Sequence, residues 1–177
     1  MTATQPFAEL IAATNYSFLR GASHPAQMVA RAHHLGMAGL GIADRNSVAG
    51  VVRAHVAWRE VGGLSSGFRL AVGARLVFAD GTPDVIAYPA TLHGWGRLTR
   101  LLTLGNRRAE KGDCTLHLPD LLDHADDLLL IATGHDRTVL EQLAEARPGA
   151  VWLAATMQRS GADARRLVQA QALGTAC

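Results

Sequence analysis

The residues that could carry chemistry are expected first at the end of the opening apolar segment, Phe7 to Ala13. This segment predicts a strand that runs into the polar turn Thr14-Asn15-Tyr16-Ser17. In α/β folds, ligands and catalytic residues lie in the loops that follow the carboxyl ends of strands. The predicted strand nevertheless ends in Ile11-Ala12-Ala13, whose side chains can neither bind a metal nor transfer a proton. The sequence therefore predicts a site position without reactive groups.

A second group of candidate residues is basic and lies in the middle of the chain. These side chains suit contact with DNA or with another protein domain, and a solvated helix face is an equally good interpretation. They are Arg97, Arg100, Arg107, Arg108 and Lys111. The later histidines have no metal-ligand spacing, and Cys114 and Cys177 lie too far apart for a zinc motif, so we expect free thiols.

The elements that position these residues alternate between strand-like and helix-like segments. Such alternation is typical of an α/β fold with a largely parallel sheet and covering helices. One helix is predicted to begin at Ser23 as its cap, and another to run from His93 or Trp95 to about Gly105-Asn106. The six predicted strands are Phe7–Ala13, Ala38–Ala43, Arg69–Phe78, Val85–Tyr88, Leu128–Ala132 and Ala150–Ala155.

The length of 177 residues predicts one domain over residues 1–177, and residues 1–6 are expected to be disordered. The net charge is +2. A charge this small does not by itself indicate a nucleic-acid-binding protein. No apolar run is long enough to span a membrane and no signal peptide is evident, so we expect a cytoplasmic protein without a membrane partner. A closed (β/α) barrel would need a further strand beyond the six predicted here, so the sequence predicts an incomplete barrel.

Two stretches carry a family resemblance. FAELIAATNYSFLRGA, with the helix and strand after it, and LLTLGNRRAEKG further on are similar to the N-terminal PHP domain of C-family bacterial DNA polymerase III α-type subunits, in the error-prone branch. The resemblance covers most of residues 7–133. It implies a distorted TIM-like (β/α) barrel of about six mostly parallel strands. It also implies a parent polymerase that acts in DNA repair after damage, with nucleotidyl transfer in a later domain.

The resemblance also implies where metal ligands would lie. Metal-binding members carry an H-x-H pair, a D-H pair and a glutamate, which fall here on Ile11 and Ala13, on Asp44-Arg45, and on Arg75. We call Ile11, Ala13, Asp44, Arg45 and Arg75 the family ligand positions. Only Asp44, with Glu9 nearby, could still bind a metal. The expectation is a non-catalytic scaffold or interaction domain without cofactor; the alternative is a phosphoesterase with a reduced zinc or manganese site.

The arginines at these positions allow two further interpretations. Arg20, Arg45 and Arg75 could form an ion-pair cluster with Asp44 or Glu9, which we favour, or they could bind an anion such as a phosphate group. The expected partners are the remaining polymerase domains, with DNA and other mutagenesis proteins as further candidates. A second copy could also pair along an unclosed barrel edge.

Overall fold

A computed structural model describes residues 6–155, 159 and 161–176 of the chain. Residues 1–5, which make up most of the segment expected to be disordered, lie outside the described residues. The chain divides into two compact units, Met1–Arg75 and Leu76–Cys177. Each unit is described separately.

The first unit alternates strands and helices in chain order. Strand β1 (Ala8–Ala12) precedes helix α1 (Pro25–His34), and strand β2 (Gly39–Arg45) precedes helix α2 (Val51–Glu60). A short 3₁₀ turn, Gly63–Ser66, leads into strand β3 (Arg69–Leu76). Strand β2 pairs in parallel with β1 on one side and with β3 on the other. All three carboxyl ends therefore lie at one edge of this part of the sheet.

The core of the first unit lies between the strands and the two helices. Helix α1 buries Val29 and Ala32, and β2 is buried from Gly39 to Asp44. The helix begins one residue later than predicted: His24 rather than Ser23 is its cap, and Pro25 occupies the first helical position, where a missing N–H costs nothing. The core consists of Ala12, Val29, Ala32, Leu40, Ile42, Ala54, Ala57 and Phe68.

In its described residues, the second unit contains three strands and four helices. Strand β4 (Val85–Pro89) pairs antiparallel with β5 (Leu128–Ala132), and β5 pairs in parallel with β6 (Val151–Leu153). The helices are α3 (Leu92–Arg108), α4 (Leu118–Asp123), α5 (Arg137–Ala146) and α6 (Asp163–Ala176). The fully buried side chains include Val85, Ile86, Leu98, Leu101, Leu116, Leu121, Leu128, Leu130 and Leu143.

Helix α3 is longer than the sequence predicts. The expected stop at Gly105-Asn106 is wrong, because the helix continues to Arg108. Gly105 is buried, and a Cβ at this position would lie 2.6 Å from Cys114 Sγ and 2.7 Å from Leu116 Cδ2. This glycine therefore permits close packing inside the helix and does not end it.

The predicted α/β class with six mostly parallel strands is confirmed. Strand β5 has the predicted bounds, and β6 is shorter than predicted. None of the helices in the described part of the chain is long and apolar enough to cross a membrane.

Candidate functional site

The family ligand positions lie at the carboxyl ends of the three strands in the first unit. Ile11 belongs to β1, Ala13 follows its last residue, Arg45 ends β2, and Arg75 precedes the end of β3. Arg45 and Arg75 are direct partners in the register of β2 and β3. Since paired residues of neighbouring strands share one face of the sheet, both arginine side chains leave the sheet on the same side.

Asp44 lies on the opposite face of β2, because successive side chains in a strand alternate. Its carboxylate is 1% exposed and accepts three hydrogen bonds. Thr14 donates its amide at 2.7 Å and its hydroxyl at 2.8 Å, and the Ser17 hydroxyl donates at 2.6 Å. Burying a carboxylate is costly unless such donors replace water. The donors of Thr14 and Ser17 therefore offset the desolvation cost of burying Asp44. The same hydrogen bonds fix the loop after β1 to Asp44.

The loop that supplies these donors is compact. The Ser17 amide donates to the Thr14 carbonyl at 2.9 Å, and the Gly21 amide donates to the Ser17 carbonyl at 3.0 Å. A Cβ on Gly21 would lie 2.3 Å from the Thr14 carbonyl oxygen, so only glycine fits this approach. The Ser17 hydroxyl also accepts a hydrogen bond from the Arg45 amide at 2.9 Å. The loop is thus bound to the end of β2 through Thr14 and Ser17.

The other residues of the expected cluster have different surroundings. Glu9 Oε1 accepts a hydrogen bond from the Ile11 amide of its own strand at 2.9 Å, and Arg20 and Arg45 are exposed. The partners of Asp44 are therefore hydroxyl and amide groups, and not the guanidinium group that the predicted ion-pair cluster would supply. The physical reason is the strand alternation that directs Asp44 and Arg45 to opposite faces. The alternative of an anion site at Arg20, Arg45 and Arg75 stays a prediction.

A metal centre would need several histidine, cysteine or carboxylate side chains in one place. Within residues 6–155, 159 and 161–176, no group of three or more such side chains is close enough to hold a metal ion. Asp44, the one carboxylate at the family ligand positions, has both oxygens engaged by Thr14 and Ser17. The donor set at these strand ends therefore does not fit the metal cluster that the resemblance implies for metal-binding members.

The predicted basic group lies in the second unit, on α3 and the loop after it. Two of its arginines are bound to the segment around α4. Arg97 donates from Nη2 to the backbone oxygen of Asp123 and lies 3.7 Å from the Asp126 carboxylate. Arg108 Nη1 donates to Asp120 Oδ2 at 2.6 Å. These two arginines therefore contribute to the packing of the unit.

Asp120 is the acidic partner of Arg108 in this ion pair. It is 9% exposed, and its Oδ2 also accepts a hydrogen bond from the His117 amide at 2.9 Å. Burial acts to raise the pKa of Asp120, but the hydrogen bonds from Arg108 and the His117 amide outweigh it and hold the pKa below its ordinary value. The charged form of Asp120 is thus favoured in the folded chain.

The remaining arginines of α3 line a cleft of 580 Å³. Its walls are Arg100, Thr103, Leu104, Arg107, Arg108 and His124. Nδ1 of His124 lies 2.9 Å from the backbone oxygen of Asp120. Lys111 is exposed in the loop after α3 and does not line the cleft. The structure thus brings Arg100, Arg107 and Arg108 together and leaves Lys111 outside their cleft.

Sequence reasoning did not identify three residues of these sites. Thr14 and Ser17 were recognised only as turn residues, and His124 only as one of several scattered histidines. A signal was present for the first two, since a buried aspartate needs nearby donors and this turn was expected at the same sheet edge. For His124 no sequence signal existed, because its position beside α3 depends on tertiary contacts such as the ion pair between Arg108 and Asp120.

The chain is similar in sequence to known proteins. The sequence model of the PHP domain family matches residues 10–166 of the chain. A protein of Brucella abortus named error-prone DNA polymerase is 49% identical over 168 residues, which cover 91% of this chain and 16% of the relative. A protein of Rhizobium meliloti named error-prone DNA polymerase 1 is 58% identical over 131 residues, covering 74% of this chain and 11% of the relative. The chain thus spans about a sixth or less of these relatives.

A solved structure supports the fold. A protein of Bifidobacterium adolescentis, named as a metal-dependent phosphoesterase, aligns with a TM-score of 0.58 at 15% identity, over 96% of this chain and 85% of its own. At that identity the likeness concerns the fold alone, and it agrees with the distorted barrel class that the sequence predicts. The predicted resemblance is confirmed: the chain belongs to the PHP domain family and is similar over most of its length to one part of proteins named error-prone DNA polymerase.

Proposed function

We propose that this chain is a non-catalytic, metal-free PHP domain that serves as a structural scaffold in an error-prone DNA polymerase. The observation that carries the proposal is the state of Asp44, whose two carboxylate oxygens accept hydrogen bonds from Thr14 and Ser17. A metal ion would have to displace these donors from a side chain that is 1% exposed. The other family ligand positions offer no metal-binding atoms in exchange.

The arginines at the strand ends support the same proposal. Arg45 and Arg75 are in-register neighbours, so their positive charges lie where a cluster of divalent cations would require negative ones. Two guanidinium groups raise the electrostatic cost of bringing a cation to this edge of the sheet. The site is therefore suited to hold the loop after β1 in place and is poorly suited to activate a water molecule.

The rest of the polymerase is the proposed partner. The relatives that carry the polymerase name are much longer than this chain, which covers 16% of the Brucella protein and 11% of the Rhizobium protein. We infer that nucleotidyl transfer is performed by the remainder of such a protein, during repair or translesion synthesis in the cytoplasm. DNA, other mutagenesis proteins and a second copy of the chain are further candidate partners.

The proposal is tested by metal content and hydrolytic activity. The chain, purified without chelator, is analysed for zinc and manganese by mass spectrometry, and its melting temperature is measured with and without added Zn²⁺ or Mn²⁺. We expect substoichiometric metal, no stabilisation by either ion, and no hydrolysis of a chromogenic phosphodiester. Stoichiometric metal together with a hydrolytic activity that Asp44→Asn abolishes would overturn the scaffold proposal in favour of the phosphoesterase.

A matched control separates loss of metal from loss of fold. Asp136→Asn alters an exposed aspartate that caps α5 through hydrogen bonds to the Thr138 and Val139 amides, far along the chain from Asp44. It removes the same charge as Asp44→Asn and should leave any phosphodiesterase activity intact. If neither variant changes such an activity, the activity comes from a contaminant and the scaffold proposal stands. If both variants reduce it equally, the activity belongs to the folded chain and the non-catalytic part of the proposal is overturned.

A further inference from the structure

Helix α3 has an unusual charge distribution. Its sequence from Leu92 to Arg108 contains four arginines and neither aspartate nor glutamate. Two of these arginines meet acidic partners from other segments, namely Arg97 at Asp126 and Arg108 at Asp120. The helix thus combines compensated and uncompensated positive charges.

The uncompensated charges belong to Arg100 and Arg107. In the part of the chain that the structure describes, neither side chain has an ion pair or a hydrogen bond, and both residues are exposed. They are seven residues apart, which corresponds to two turns and about 10 Å along the helix axis. This spacing places both guanidinium groups on one side of the helix.

The two arginines open into the cleft of 580 Å³ described above. Arg108 also lines this cleft, with its guanidinium held by the Asp120 carboxylate at 2.6 Å. The His124 ring is oriented by the contact of its Nδ1 with the Asp120 backbone oxygen at 2.9 Å. Asp120 therefore contacts two residues of the cleft's lining, Arg108 and His124. Arg100 and Arg107 line the same cleft from helix α3.

We propose that this cleft binds the phosphate groups of a nucleic-acid strand. A guanidinium presents a planar pair of donors that matches phosphate oxygens, and such contacts are the main source of sequence-independent affinity for nucleic acid. Two arginines separated by about 10 Å suit anions that repeat along a line, as phosphates do on a backbone. Leu104 between them provides an apolar surface for a sugar or base. This binding activity goes beyond the scaffold function, which requires no ligand.

The test uses the whole chain and a short fluorescently labelled DNA single strand. Binding is followed by anisotropy as a function of salt for the wild type and for the double variant Arg100→Gln, Arg107→Gln. We expect the double variant to lose about tenfold in affinity. The negative slope of the logarithm of the binding constant against the logarithm of the salt concentration should become shallower by about 0.7 for each phosphate contact removed, or about 1.4 in total. Circular dichroism checks that the variant is folded.

A double variant elsewhere provides the charge-matched control. Arg53→Gln, Arg59→Gln removes the same two charges from exposed positions of α2. It should retain most of the affinity and most of the salt dependence. An equal loss in both double variants would overturn the proposal, because binding would then depend on net charge alone.

Two other results would also overturn it. Wild-type affinity in the Arg100→Gln, Arg107→Gln variant would exclude the cleft as the binding site. Competition by a polyglutamate peptide as effective as competition by an unlabelled single strand would indicate an acidic protein partner. An unlabelled duplex that competes as well as the strand supports the proposal, since both present phosphate backbones. None of these results affects the metal measurements, so failure of this proposal is distinguishable from failure of the scaffold proposal.

Discussion

Thr14 donates two hydrogen bonds to the carboxylate of Asp44, one from its amide at 2.7 Å and one from its hydroxyl at 2.8 Å. The two residues are thirty positions apart in sequence and are both buried. Their contact joins the loop after β1 to the end of β2, at the sheet edge where the family ligand positions lie. An aspartate that could bind a metal is thus engaged in holding the fold together.

The first prediction concerns the hydroxyl of Thr14. Thr14→Val keeps the shape of the side chain but removes one donor from a buried carboxylate, which leaves Asp44 Oδ2 without its hydrogen bond. Leaving a buried polar group unsatisfied costs about 1–3 kcal/mol. We therefore expect the free energy of unfolding, measured by urea denaturation, to fall by about that amount.

Thr138→Val is the matched control for this measurement. Thr138 is exposed on α5, and the cap of that helix uses its backbone amide rather than its hydroxyl. We expect a change within about 0.5 kcal/mol, as for other surface substitutions. Equal effects of the two substitutions would show that the Thr14 hydroxyl contributes nothing beyond a general cost of replacing threonine by valine.

The sequence predicted the elements of the fold better than their ends. The bounds of β5, Leu128–Ala132, follow from an uninterrupted apolar run and were predicted correctly. The end of α3 was not, because Gly105 has two opposite meanings in a sequence: it ends helices, and it also permits close packing within them. Only the positions of Cys114 and Leu116 against the helix decide between these meanings.

The candidate site was predictable only in part. The resemblance assigns the family ligand positions, and these residues lie at or next to the carboxyl ends of β1, β2 and β3. The hydrogen-bond partners of Asp44 could not be predicted in this way. They depend on the face of the sheet on which each side chain lies and on the conformation of the loop after β1. The separation of Arg100 and Arg107 from their paired neighbours likewise depends on where Asp120 and Asp126 lie.

The second prediction concerns Gly21. Gly21→Ala introduces a Cβ that would lie 2.3 Å from the Thr14 carbonyl oxygen and 2.5 Å from the Ala13 carbonyl oxygen. Both neighbours are backbone atoms, so the loop must shift as a whole. We expect a loss of about 1–3 kcal/mol in the free energy of unfolding, typical of overpacking.

Gly96→Ala is the control for Gly21→Ala. A Cβ on Gly96 would meet no atom within 4 Å, and the residue lies inside α3. Alanine is favoured over glycine in a helix by about 0.8–1 kcal/mol, so this substitution should stabilise the chain. Stabilisation by Gly21→Ala as well would contradict the close approach between Gly21 and the Thr14 carbonyl.

The third prediction concerns the pH dependence that Asp120 brings to the second unit. Burial tends to raise the pKa of Asp120, but the hydrogen bonds from Arg108 and the His117 amide lower it by a larger amount. The pKa of Asp120 in the folded chain is therefore below the ordinary value. A lowered carboxyl pKa adds stability that is fully present above the unfolded value of about 3.9 and is lost as the pH falls through the folded value. Arg108→Gln removes the main charged partner and should cost about 1 kcal/mol at neutral pH, because the guanidinium is partly exposed.

The pH profile distinguishes this ion pair from a general effect of removing an arginine. The difference in unfolding free energy between the wild type and Arg108→Gln should be constant above about pH 5 and should shrink as the pH falls below about 3.9, where Asp120 becomes protonated in the unfolded chain. Arg137→Gln is the control, since Arg137 pairs with Glu141 at 2.8 Å and both side chains are more than half exposed. A pair of this kind contributes about 0.3–0.5 kcal/mol. If the cost of Arg108→Gln is no greater than that of Arg137→Gln, or does not decrease in acid, then Asp120 does not depend on Arg108 for its low pKa.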